Sequence, residues 1–218
     1  MMKMTFVSLL STFLLTASVA LSQQRQFTAD ELQEPVYRFL MELHQSGLSK
    51  GMMNVPPQDG RLLQMLIKMS DAKNVLEIGT SNGVSAIWMA LGLEETGGKL
   101  TTLEIDPVKV KLAMENFRKA GVDDRVRLIE GDALQTLRTL TGTYDMVFMD
   151  AAKHQHKDYL DIIYPRIPKG GIIVAHNAVR QAFSMRDYLD YVRNHPELDT
   201  VILTTGNDGV ALSYKKIF

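Results

Sequence analysis

The sequence contains no cysteine. That excludes disulfides, thiolate metal sites and a cysteine nucleophile together. Any metal must be held by oxygen and imidazole, and the histidines are His44, His154, His156, His176 and His195. An excess of one charge is also missing. The 24 Lys and Arg against 25 Asp and Glu leave a net charge of −1, with no polybasic footprint for nucleic acid or an anionic membrane surface. The expected partner is therefore a small molecule. No internal repeat, low-complexity tract or interdomain linker divides the 218 residues, so one domain with a large core is expected. Long hydrophobic runs are confined to one place, the uncharged stretch Thr5 to Leu21 behind Lys3. Ala20-Leu21-Ser22 closes it with small residues at signal-peptidase spacing. Residues 1–22 read as an export signal peptide cleaved near Ser22, the rival being an uncleaved membrane anchor. Residues 23–218 are the expected domain, with membrane contact only through the leader if it stays attached.

Thr28-Ala29-Asp30-Glu31 is a capping box, predicting a helix in which Leu32, Val36, Phe39, Leu40 and Leu43 recur at helical spacing until Gly47. Pro56 and Pro57 close a loop from Gly51, and a helix is expected from about Gln58 to Met69. From Asn74 onward short apolar runs alternate with amphipathic segments, the pattern of a parallel sheet with crossover helices. Strands are expected at Asn74 to Ile78, Leu100 to Ile105, Val126 to Glu130, Met146 to Asp150 and Gly171 to Ala175. Helices are expected near Val84 to Leu93, Val108 to Ala120, Ala133 to Leu140 and Lys157 to Arg166, with another after Ser184 to about Asn194. Thr200 to Thr205 and Val210 to Lys215 read as a hairpin-like pair around Gly206-Asn207-Asp208-Gly209.

The run from Asn74 to Ala90 carries the first chemical signal. A strand ends in Glu77, passes through Gly79 and Gly83, and enters a helix. Glycine permits positive φ and close approach of a ligand, and the helix start offers unpaired N–H groups. The spacing is not the G-x-G-x-x-G of a dinucleotide cradle, and Glu77 would repel a diphosphate. A nicotinamide oxidoreductase is disfavoured on that ground. An acid here suits a cofactor carrying an amino acid and a ribose.

Ligands of open α/β sheets bind at the carboxyl ends of the strands. The second strand ends in Glu104-Ile105-Asp106, with Glu104 where an acid binds ribose hydroxyls and Asp106 a helix cap. The third ends in Gly131-Asp132-Ala133, where Asp132 is equally an adenine contact or an N-cap. The fourth ends in Asp150-Ala151-Ala152-Lys153 and the fifth in His176-Asn177. An acid, an imidazole and an amide at neighbouring strand ends make a three-ligand metal site with open positions. His154 and His156, two residues apart near a helix start, read as a solvated loop. Trp88 and the methionines read as core.

Together, Glu77-Ile78-Gly79 with Gly83 and Ser85, Glu104-Ile105-Asp106, Gly131-Asp132-Ala133-Leu134, Phe148 to Lys153, and Gly170-Gly171 leading to Asn177 resemble the metal-dependent O-methyltransferases of the catechol and caffeoyl-coenzyme A group. Met53-Asn54-Val55 is similar to the segment that covers the cofactor in catechol O-methyltransferase. The resemblance implies an α/β, Rossmann-like, seven-stranded class I methyltransferase fold. Its sheet would be mostly parallel, with a C-terminal antiparallel hairpin and helices on both faces. It implies S-adenosyl-L-methionine as cofactor. Val55, Glu77, Gly79, Thr80, Gly83 and Ser85 would hold the methionine end, Glu104 and Ile105 the ribose, and Asp132 and Ala133 the adenine, with Asp150 at the far end. One divalent metal would be held by Asp150, His176 and Asn177. Lys153 would be the base, and Gln181, Asn207 and Asp208 would meet the substrate.

Under that resemblance the reaction is methyl transfer to a hydroxyl of a small aromatic diol. A phenol is mostly protonated at neutral pH, and a chelating cation both lowers its pKa and fixes one oxygen. Lys153 becomes a base once its amine, near 10.4 in model compounds, is lowered. A caffeoyl-CoA-like or other acceptor, and a binding protein without turnover, are the alternatives. A homodimer stays open.

One position departs from the group, which has aspartate where this chain has His176. Losing a carboxylate for an imidazole removes one negative charge and substitutes nitrogen for hard oxygen. Mg2+, the group's ion, should yield to Mn2+, Fe2+, Co2+, Ni2+ or Zn2+. The leader sets a second tension, because S-adenosylmethionine is made and kept inside cells.

Overall fold

The computed structural model describes Thr28, Glu31, residues 34–49 and residues 51–218. The signal or anchor assigned to residues 1–22, and the helical position of Leu32, lie outside the described residues. In chain order the elements are α1 (Pro35–Ser49), α2 (Pro57–Ser70), β1 (Asn74–Ile78), α3 (Val84–Thr96), β2 (Lys99–Glu104), α4 (Pro107–Ala120) and β3 (Val126–Glu130). There follow α5 (Ala133–Thr139), β4 (Met146–Met149), α6 (His156–Ile163), β5 (Ile172–His176), α7 (Arg186–Asn194), β6 (Leu198–Leu203) and β7 (Val210–Lys215).

The strands form one seven-stranded sheet in the order β3-β2-β1-β4-β5-β7-β6. β1 to β5 pair in parallel, and β7 runs antiparallel between β5 and β6. β4 is buried along its whole length because helices cover both faces, which is why its sequence reads as an unbroken apolar run. Side-chain alternation sorts the core into two layers. Phe148 and Val174 join Leu63, Ile67, Trp88 and Phe117 on one face. Val147, Met149, Ile173 and Ala175 join Leu137, Leu160 and Tyr188 on the other.

The first layer is drawn tight by missing side chains. A Cβ on Gly60 of α2 would stand 2.2 Å from the Trp88 ring of α3, and one on Gly92 would stand 2.9 Å from the Gln64 carbonyl. The two helices therefore pack backbone to side chain, which fixes the first turn of α2 over the sheet. Trp88 also meets Tyr37 at 5.5 Å between ring centroids, as a core residue should.

Most elements differ by a few residues from the expected ranges, and three differences have a clear physical cause or bear on the strand ends. The capping box forms, with Thr28 N–H donating to Glu31 at 2.9 Å and Glu31 N–H to Thr28 Oγ1 at 3.1 Å. The α-helix nevertheless starts at Pro35, because a proline sits well at the first helical position and disfavours helix in the residue before it. Gly47 does not end α1. It lies inside it, where a Cβ would meet the Asn54 amide at 2.1 Å. β5 is shifted by one residue, so His176 is its last residue rather than the first beyond it.

Candidate active site

The glycine turn after β1 is shaped by two close approaches. Gly79 has φ 103°, and a Cβ there would lie 2.9 Å from the carbonyl carbon and oxygen of Asp150 at the end of β4. Gly83 has φ 92°, starts α3, and leaves room for the Phe117 ring, 2.6 Å from where its Cβ would be. Between them Ser81 turns its N–H onto Glu104, 2.7 Å from Oε2. The other oxygen of Glu104 accepts from the N–H groups of Ile105 and Asp106, each at 3.0 Å. The carboxylate at the end of β2 is thus locked to the turn after β1.

A cleft of about 770 Å3 opens over these strand ends, a volume typical of small-molecule sites. Val55, Gly79, Thr80, Ser85, Glu104, Ile105, Asp132, Ala133 and Asp150 line it, as the cofactor assignment expects. Of the two roles left open for Asp132 the N-cap is seen, its side chain accepting from Gln135 N–H at 3.0 Å at the start of α5, while the residue also lies in the cleft lining. Buried amide atoms of Asn54 and Asn82, also in the lining, have no hydrogen-bond partner. A cleft of this size lined by Thr80, Ser81, Ser85, Glu104 and Asp132 fits a polar ligand.

Glu77 and Gly83 stand behind the lining rather than in it. Glu77 is fully buried, and the hydroxyls of Ser85 and Thr102 donate to its two oxygens. Burial outweighs those hydrogen bonds and pushes its carboxyl up to about 8. It reaches the cleft through Ser85. Sequence reading missed Lys109, Gln155 and Tyr159 in the same lining. Tyr159 donates to Gln155 Oε1 at 2.6 Å, one helical turn away, and that i, i+4 spacing just past Asp150 was the available signal.

At the far end of the cleft the side chains change character. Lys153 Nζ lies on Asp150 Oδ1. His176 stands between two carboxylates, with Nδ1 3.4 Å from Asp150 Oδ1 and Nε2 donating to Asp59 Oδ2 at 2.9 Å. Burial disfavours the imidazolium, but Asp150 and Asp59 outweigh burial and hold the ring up to about 9. Burial likewise raises the Asp150 carboxyl, and Lys153 and His176 more than reverse it, leaving it below the usual range. Asn177 follows with φ 66°, a left-handed conformation that asparagine tolerates.

The donors fit a divalent cation. His176 Nδ1 is buried without a hydrogen-bond partner, because its 3.4 Å approach to Asp150 lies outside hydrogen-bond geometry. Two donors each about 2.1 Å from one ion stand about 3 Å apart, close to that separation. Among the described residues no three His, Asp or Glu side chains are placed to hold one ion together, since Asp59 lies on the far side of the His176 ring from Asp150.

Three other expectations are placed elsewhere. Asp208 accepts from the N–H groups of Val179 and Arg180 and pairs with Arg180 at 3.2 Å, so the Asn207-Asp208 turn braces the loop after β5. Gln181 N–H donates to the Asn177 carbonyl within that loop. None of the three lines the cleft. His154 is exposed as expected, whereas His156 is fully buried. Its ring turns back to the carbonyls of Ala152 and Met149, at 3.1 and 3.2 Å, between Tyr159 and Tyr188.

The O-methyltransferase family model matches residues 27–211. The chain belongs to that family. This methyltransferase is 38% identical over 175 residues to a catechol O-methyltransferase of Mycobacterium tuberculosis, covering 73% of this chain and 79% of that one. Its fold is similar to that of an O-methyltransferase of Bacillus cereus in complex with S-adenosylhomocysteine. The TM-score is 0.75 at 28% identity, over 82% of this chain and 91% of that one. An O-methyltransferase of Streptomyces achromogenes in complex with S-adenosylmethionine superimposes with a TM-score of 0.72 at 27% identity, over 82% and 89%. The methyltransferase accordingly has the Rossmann-like class I fold and uses S-adenosylmethionine to methylate oxygen.

Proposed function

We propose that the methyltransferase acts on a catechol-like ortho-diphenol, with Lys153 as base and Asp150, His176 and Asn177 holding a divalent cation. The observation that carries this reading is the position of Asp150. It lines the cofactor cleft and at the same time bears Lys153 and His176. A methyl donor in the cleft and a hydroxyl beside Lys153 would therefore lie on either side of one residue, the placement that in-line transfer requires.

When bound, S-adenosylmethionine supplies an electrophilic methyl group on sulfur, and a divalent cation supplies charge that acidifies a chelated hydroxyl. Ser85, backed by Glu77, would orient the amino-acid end, and the locked carboxylate of Glu104 the ribose hydroxyls. Lys153, as its neutral amine, would take the hydroxyl proton on Nζ. A C–O bond forms as the C–S bond breaks, leaving a methyl ether and S-adenosylhomocysteine. Two adjacent hydroxyls satisfy a cation with open positions, which is why an ortho-diphenol suits the site better than a single phenol.

The test is incubation with labelled S-adenosylmethionine, a catechol, a caffeoyl-CoA-type ester and a panel of divalent metals. Label in the catechol ring ether supports the reading. Transfer only to the thioester substrate would move the acceptor class, and no transfer under any metal would overturn the reading.

A further inference from the structure

A buried carboxylate backs the His176 ring from another element of the fold. Asp59 lies 117 residues away in the chain, is 2% exposed, and accepts from His176 Nε2 at 2.9 Å. Burying a carboxylate in the packed layer between α2 and the sheet is unfavourable unless it is paired, and His176 supplies that partner. A carboxylate thus stands directly behind the ring, on the side away from Asp150.

The pairing also decides what the ring presents. With Nε2 committed to Asp59 as an N–H donor, the nitrogen that gives up its proton to a bound cation is Nδ1, and the lone pair then lies there. That atom is the buried, unpartnered one, and it stands beside Asp150 Oδ1. A histidine ligand whose other nitrogen donates to a carboxylate is fixed in tautomer and orientation and becomes a stronger donor. Asp59 sits in the first turn of α2, held over the sheet by the contact between Gly60 and Trp88, so the support is rigid. The Phe148 ring, 6.4 Å from the imidazole, fills space beside it.

We infer that Asp59 is a positioning residue for the metal centre: its carboxylate orients His176 so that Nδ1, next to Asp150, serves as a nitrogen donor to a divalent transition-metal ion. The inference rests on the proposed metal-dependent reading of the same site. The Asp59–His176 pair then acts as one unit of charge −1 when the ring is neutral, giving the ion the charge of a single carboxylate through a softer donor atom.

The test uses the full chain and Mn2+ alone, without acceptor, following free Mn2+ by electron paramagnetic resonance and nitrogen coupling to bound Mn2+ by spin echo. The wild type should bind Mn2+ with an imidazole nitrogen coupling. Asp59→Ala should lose that coupling and bind roughly 10- to 100-fold more weakly, while S-adenosylhomocysteine affinity by calorimetry stays within about 2-fold by the same reasoning. Asp59→Asn, whose amide oxygen still accepts from Nε2–H, should recover most of the affinity and the coupling. In a His176→Asp background, removal of Asp59 should not weaken Mn2+ binding. Wild-type affinity and coupling in Asp59→Ala would overturn the inference and leave the metal-dependent reading intact. Equal weakening with His176 present and absent would also overturn it, by showing a purely structural role. No Mn2+, Co2+ or Zn2+ binding to the wild type would overturn both.

Discussion

Lys153 and Asp150 form an ion pair almost closed to water, their side chains 10% and 14% exposed, three residues apart at the end of β4. Lys153 does not line the cofactor cleft, whereas Asp150 does. Lys153→Ala is therefore expected to lower kcat by roughly 10²- to 10⁴-fold, the range of a lost general base. Affinity for S-adenosylhomocysteine should hold. Lys153→Arg should not rescue, because a guanidinium keeps its proton. Steady-state kinetics beside calorimetry of the cofactor product separates the two effects.

Chelation should abolish transfer, and metals should differ in restoring it. With imidazole at 176 in place of a hard oxygen, Mn2+, Fe2+, Co2+, Ni2+ or Zn2+ is expected to restore more activity than Mg2+ at equal concentration. Equal rescue by Mg2+ would count against His176 as a ligand. In His176→Asp the order should move toward Mg2+.

Glu77 predicts an exchange of function for stability. Burial holds its carboxyl up to about 8, against 4.5 for the free side chain. The folded state then binds more protons than the unfolded one between those values, so stability from this group is complete below about 4.5 and is lost as pH rises toward 8. Glu77→Gln should therefore stabilise the ligand-free protein at pH 7 and flatten that slope. The same change should weaken S-adenosylhomocysteine binding, because an amide has one accepting oxygen and the Ser85 and Thr102 hydroxyls can no longer each donate to their own. Denaturant unfolding with and without the ligand checks both signs.

His156 gives the opposite slope. Burial, helped by the nearby Lys153 ammonium, lowers its ring to about 4 from 6.5. The unfolded chain binds the extra proton between those values, so the stability of a neutral buried ring is present above about 6.5 and lost as pH falls toward 4. Relative to His156→Gln, the wild type should lose about 3 kcal/mol over that window, from 1.36 kcal/mol per pH unit. The Glu77 and His156 slopes partly cancel below pH 6.5, so the variants, and not the wild-type curve alone, reveal either one.

The strands and the donor side of the site were legible because their signals are local. β1 and β3 begin and end where apolar runs begin and end, and Gly79, Glu104 and Asp132 each follow a strand directly. Asp59 was not legible. In sequence it is one acid in the first turn of a helix, a common place for an acid, and only the folding of α2 over β5 brings it to His176. His156 was misread for a related reason. Its neighbour His154 is exposed, and nothing local shows that the next turn dives between Tyr159 and Tyr188. Asn207 and Asp208 were expected at the site only because the family resemblance, carried over by position, implied it. Hydrogen bonds to Val179 and Arg180 take that turn instead to the loop after β5.

Gly79 rests directly on the backbone of Asp150, with no room for one added carbon. Seventy residues of chain can be inserted between two parts of an enzyme without making them exchangeable, roughly because contact and not sequence distance sets coupling. Here the contact joins the glycine turn after β1 to the strand end that bears the proposed base. A chimera spliced between β1 and β4 from two relatives would inherit a seam at this point, and recombination across it should succeed only when the parent that supplies the β1 half carries glycine there. Acceptor preference is then free to drift through the loops after β4 and β5, while the seam itself is inherited whole.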